Sequence, residues 1–126
     1  MNVVGKAINE ILQNGATNLP AQPDFAQNDF ADTYIVYRVV NITPSDTKSG
    51  ASTLDEVNIE INIYSNVLAT VADLSVKVRA DLDRVAHGSY AGVTLQGVQF
   101  TDEDTGYDYF SRRYECQHTY TFRVER

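Results

Sequence analysis

LDEVNIEINIYSNVLATVADLSVKVRADLDRVA, residues 54–86, changes its hydrophobic period from two to about 3.6 across Tyr64-Ser65-Asn66. Val57, Ile59, Ile61 and Ile63 alternate with Asn58, Glu60 and Asn62, the pattern of a strand with one buried face. Val67, Val71, Leu74, Val78, Leu82 and Val85 then recur at gaps of four, three, four, four and three, the pattern of an amphipathic helix. A helix of about 21 residues, roughly 31 Å long, is expected there. A strand that runs directly into a long helix must share its apolar face with it, which sets a two-layer core.

Working outward, Val4, Ala7, Ile8, Ile11 and Leu12 mark a short amphipathic helix from about Val3 to Asn14, with Gly15 placed as its stop. Residues 16–31 read as a Pro-containing loop that Phe25 and Phe30 are expected to pin to the body. Asp32 to Ile42 is β-branched and aromatic, with apolar side chains on both faces. Such a strand is either central or covered on its second face by another molecule. Residues 43–53 are polar and form a hairpin loop. His87-Gly88 is expected to end the long helix. Val93 to Phe100 is a third strand, TDEDTGYD a turn, and Tyr107 to Val124 a long final strand. On that last strand Tyr114, Cys116, His118, Tyr120, Phe122 and Val124 share one face, and Arg113, Glu115, Gln117, Thr119, Thr121 and Arg123 the other. The predicted fold class is therefore α+β, a four-stranded antiparallel sheet with two helices packed on one face, in the order α-β-β-α-β-β. Residues 1–126 form a single domain.

Composition narrows the function classes. The chain carries 10 Lys and Arg against 17 Asp and Glu, a net charge of −7, and Arg112-Arg113 is its one adjacent basic pair. Gripping nucleic acid relies on cations that displace phosphate counterions, so a DNA- or RNA-binding module is not expected. An acidic surface that lets DNA pass without sticking is compatible. No apolar run reaches the roughly 20 residues a membrane helix needs, and MNVVGKAINEIL does not read as a signal peptide. The single cysteine, Cys116, excludes an intramolecular disulfide framework.

Catalytic and metal-binding patterns are weak. Cys116 and His118 point the same way from one strand, as two zinc ligands could, but no third or fourth ligand accompanies them in the sequence. They read as a small thiol and an imidazole on the apolar face. Asp102-Glu103-Asp104-Thr105-Gly106 contains a D-x-D-x-G fragment of a calcium loop, yet the position that needs glutamate is Arg113. Asp55, Glu56 and Glu60 read as a solvated strand face rather than an acid–base pair. No nucleophile elbow, phosphate loop or dinucleotide fingerprint is present. No cofactor and no enzymatic activity are expected. Eight tyrosines, the doubly apolar strand and the polar-faced final strand instead suit subunit association.

The chain resembles the small tail-terminator or tail-completion proteins of long-tailed bacteriophages. The likeness rests on NVVGKAINEIL, the Pro-containing loop, the aromatic strand YIVYRVV, the segment DEVNIEINIYSN running into ATVADLSVKVRADLD, and the closing strand RRYECQHTYTFRVER. The resemblance implies a virion protein of the tail or neck, assembled in the host cytoplasm. It implies a homohexameric ring that ends the tail tube and joins it to the head connector or stopper protein, with DNA passing through unbound and no membrane contact. On that reading Pro44 and Lys48 in the Thr43–Thr53 loop, and Asp102 and Asp104 in the Asp102–Asp108 hairpin, make axial contacts. Glu60, Asn62, Arg113, Glu115 and Gln117 line the lumen or a subunit seam, and Tyr37 and Arg38 lie at an interface. Another neck component, a small α+β enzyme or ligand-binding domain, and an adaptor module are the competing classes.

Overall fold

A computed structural model describes residues 3–19, 21–23, 33–44, 54–83, 85–110 and 112–125. Phe25, Phe30, Lys48 and the loop beyond Pro44 lie outside the described residues. The elements are α1 (Val3–Asn14), β1 (Ala21–Pro23), β2 (Thr33–Pro44), β3 (Leu54–Ser65), α2 (Leu68–Leu82), β4 (Gly88–Tyr90), β5 (Val93–Asp108) and β6 (Arg113–Glu125).

The period change sits where the sequence puts it. Val57, Ile59, Ile61 and Ile63 of β3 are buried, as are Val71, Leu74, Val78 and Leu82 of α2. Ser65 ties the join down. Its Oγ accepts the Val67 N–H at 3.2 Å and lies 2.9 Å from Thr33 Oγ1 on β2. Both helices cover the same sheet face. Val4, Ala7, Ile8 and Leu12 of α1 complete one cluster with the α2 stripe and with Ile35, Tyr37, Leu95, Tyr120 and Phe122 of the sheet.

The four-stranded antiparallel expectation is overturned. The strands form a six-stranded mixed half-barrel sheet in the order β1-β2-β3-β6-β5-β4, and the chain is mostly β. β1 pairs in parallel with β2 through Ala21↔Ile35, Gln22↔Val36 and Pro23↔Tyr37, and β4 pairs antiparallel with β5. Both added strands are three residues long. Periodicity cannot show in so short a run, and their pairing comes from tertiary placement alone.

Three boundaries also differ. α2 has 15 residues, and Asp83 leaves it with extended backbone (φ −68°, ψ 127°). Gly88 begins β4 instead of closing the helix. TDEDTGYD is not a turn: β5 continues through it, pairing Asp102↔Thr119, Asp104↔Gln117 and Asp108↔Arg113, and its 16 residues outrun α2. The ladder ends instead at Asp108↔Arg113; beyond it Arg112 has φ 57° and Asp108 Oδ1 accepts the Phe110 N–H at 3.0 Å. The calcium-loop fragment is thus held extended in a ladder, in which its carboxylates cannot converge on one ion.

Helix α1 approaches β2 through Gly5. A Cβ built at Gly5 would lie 2.5 Å from Tyr37 Cζ, and Tyr37 is itself buried. Gly5→Ala should therefore lower stability by about 1–3 kcal/mol, although alanine is the better helix former. Urea denaturation followed by circular dichroism checks this. A Gly5→Ala chain as stable as wild type would show that the α1–β2 spacing is wider than the structure gives.

Candidate functional site

The sheet has a second face that neither helix covers. Strand register aligns Arg38, Glu60, Thr119 and Asp102 in one row, and Val36, Asn62, Gln117 and Asp104 in the next. Six of the predicted interface residues, Arg38, Glu60, Asn62, Gln117, Asp102 and Asp104, therefore share two adjacent rows. Glu115 sits opposite Gly106 one row on, and Arg113 opposite Asp108 at the hairpin end.

Tyr37 lies elsewhere: it is one residue out of phase with Arg38 and is buried under α1. Pro44 pairs with Asp55 at the far end of β2. Lys48 is outside the described residues. On the outer surface of β2 Val36 is buried. Past the bulge Ile42 pairs with Val57 and so lies on the helix-side face, where it is 43% exposed, as is Val40 at the bulge.

The polar face is a network with unequal charges. Arg38 Nη2 donates to Glu60 Oε2 at 3.0 Å, and Arg38 Nε to the same oxygen at 3.2 Å. Asn58 joins two strands: its Nδ2 donates to Asn41 Oδ1 at 2.7 Å and its Oδ1 accepts from Thr121 Oγ1 at 2.9 Å. Tyr34 and Tyr64 stack with centroids 4.9 Å apart, and the Arg113 guanidinium lies 5.3 Å from the Tyr34 ring centre. Asn62 is buried at the centre of the face, and among the described residues its Oδ1 meets no hydrogen-bond donor. Glu115 is the strained member. Burial pushes its carboxyl above the ordinary value, and the nearby Asp108, Asp104 and Glu60 push it further.

A second polar group lies on the opposite, helix-covered face. His118 is fully buried, with Nδ1 2.8 Å from Tyr120 Oη and Nε2 2.9 Å from Glu103 Oε1. Ser75 Oγ donates to the same Glu103 oxygen at 2.9 Å, and the Cys116 thiol donates to Ser75 Oγ at 3.5 Å. One neutral tautomer satisfies all of these contacts, with Tyr120 donating to Nδ1 and Nε2–H donating to Glu103. Glu103, Cys116 and His118 place their donor atoms within 4.8 Å of one another, a spacing that could surround a metal ion. Burial, then Glu103, Asp104 and Glu115, push the Cys116 thiol up and outweigh the Ser75 hydrogen bond, and this holds it in the protonated, hydrogen-donating form. Ser75 and Glu103 escaped the sequence reading because they lie 43 and 15 positions from His118. The lone signal was a His in an otherwise apolar stripe.

The buried imidazole makes stability depend on pH. Burial lowers the His118 value below the ordinary 6.5, and the Glu103 carboxylate only partly offsets it. The unfolded chain then binds the proton more readily, so His118 supports the fold fully above about pH 6.5 and less as pH falls toward its folded value. The urea midpoint should fall between about pH 7.5 and 5, and a His118→Gln chain, though weaker, should show a flatter slope. Equal slopes in the two chains would remove His118 as the cause.

Comparison with known proteins places the fold. A chain of a solved structure described as "Virion of native gene transfer agent (GTA) particle" superposes with a TM-score of 0.76, at 16% identity, covering 98% of this chain and 95% of its own. A second solved chain, 11% identical, superposes with a TM-score of 0.60 over 98% of this chain and 91% of its own. At such identities these likenesses speak for the fold. No curated protein sequence matches significantly. Residues 7–125 match the family described as "Tail completion protein gp17". That match spans every element from within α1 to the end of β6, and the chain belongs to the tail completion protein gp17 family.

Proposed function

We propose that this chain assembles into a ring on the end of the phage tail tube, stops its growth and receives the head connector. As a tail completion protein it is a structural component of the phage tail or neck. The observation that carries the finer reading is the polar sheet face that neither helix covers, where Glu60, Asp104, Asp108 and Glu115 crowd together. Facing a lumen, Glu60, Asp104 and Glu115 repel phosphates and let DNA slide past. Facing a subunit seam, they select a partner surface with cations in the matching rows.

The reading is tested in a phage that lacks the gene. Tubes are expected to exceed their normal length and to remain unjoined to heads, as seen by negative-stain electron microscopy. Tails of ordinary length attached to filled heads would sink the proposal. Asp104→Lys combined with Glu115→Lys tests the face itself. The double substitution relieves the carboxylate crowding and should leave the fold intact, yet infectious titre should drop by about tenfold or more. An unchanged titre would move the function off this face.

A further inference from the structure

Because β5 and β6 outrun α2, they leave an open groove of about 670 Å³ between the helix and the exposed half of β5. Leu68, Ala72, Val76 and Ala80, four positions apart, make one apolar wall, and Glu103, Thr105 and Gly106 stand on the other side. Leu68 is 59% and Val76 70% exposed, unusual for aliphatic side chains on an amphipathic helix. At the far end of the same hairpin, Tyr109 and Phe110 are 85% and 102% exposed, with Arg112 exposed beside them. Tyr107 packs edge-on against both Tyr109 and Tyr114 with centroids 5.0 Å apart, so the tip is a braced aromatic knob.

The geometry points to a self-contact in which the Tyr109–Phe110 knob of one copy seats in the α2–β5 groove of the next. Shape and charge both favour a second copy of this chain. The knob is apolar with a cation at its base; the groove is apolar with the Glu103 carboxylate at its rim. A paired ribbon cannot fold back onto a groove that its own strands border three residues away, since Gly106↔Glu115 and Asp108↔Arg113 hold it extended. The knob must therefore reach another molecule. Knob and groove are different surfaces, so the contact is heterologous and propagates head to tail until it closes. It rests on the ring reading only for that closure, and buried aromatic anchors are the usual energetic centre of such contacts.

Light scattering after size exclusion tests it with two kinds of variant. Tyr109→Ser with Phe110→Ser removes the knob; Val76→Glu, or Ala72→Glu as a second choice on the same stripe, blocks the groove. All four positions are exposed, and circular dichroism confirms folding. Wild type is expected to form a closed oligomer and each variant a monomer. An equimolar mixture of a knob variant and a groove variant should form a one-to-one dimer and stop there, because only one intact knob meets one intact groove. Variants that oligomerise like wild type would overturn the contact while leaving the ring standing. A mixture that stays monomeric, or a monomeric wild type whose Val76→Glu variant loses attachment to tail tubes, would overturn it too; the latter gives the groove to a tube subunit.

Discussion

Phe122→Ala should cost about 3–5 kcal/mol of folding stability, enough to leave a chain of this size barely folded at 25 °C. Phe122 is fully buried on β6, where β3 supplies Val57 and β5 supplies Val98 as its direct partners. Strands hold it on both sides and the helices cover it, so the surroundings cannot collapse into the space that a benzyl group vacates. The ring also makes an edge contact with Tyr120 at 6.4 Å, which would be lost with it. Phe110→Ala is the control, because Phe110 is the same residue type fully in solvent. Its effect on monomer stability should stay within about 0.5 kcal/mol. Urea unfolding of both chains gives the comparison, and a Phe122→Ala loss below about 1 kcal/mol would place the centre of the core elsewhere.

Asp81→Ala should cost about 3 kcal/mol for a different reason. The carboxylate stands on the last turn of α2 and gathers the chain that leaves α1. It accepts Ala16 N–H and Thr17 N–H, both at 2.9 Å, and the Thr17 hydroxyl at 2.6 Å. Thr17 is buried, so its two donors would be stranded away from water. Bonds to a charged acceptor are the stronger kind, and one substitution removes three of them. Thr17→Ala, which deletes only the hydroxyl contact, should cost roughly 1 kcal/mol. Equal losses in the two variants would show that the backbone N–H bonds contribute nothing. The same contact explains Gly15. It follows the last residue of α1 as the sequence suggests, but Asn18, at φ 51°, takes the left-handed conformation. Gly15 is small because a Cβ there would collide with the Asp81 carboxylate.

The candidate site was half legible. The alternation of Asn58, Glu60 and Asn62, and of Arg113, Glu115 and Gln117, marked a polar sheet face, and register brings those rows together. Asp102 and Asp104 join the same face only because β5 stays extended through an acidic stretch that reads locally as a turn. Backbone pairing with β6 outweighs the weak strand preference of those residues. Tyr37 shows the converse: an aromatic on a doubly apolar strand suited an interface, and α1 covers it instead.

Local order in this chain decides whatever repeats within one element. The period change at Tyr64-Ser65-Asn66, the α2 stripe and the buried rows of β3 and β6 all follow from side chains that must leave water on one side of a strand or helix. What long-range pairing decides has no local signal: the two three-residue edge strands, the reach of β5 beyond α2, and the meeting of Ser75 and Glu103 at His118. Each depends on which distant backbone is free to accept a hydrogen bond, and that is known only once the sheet has formed.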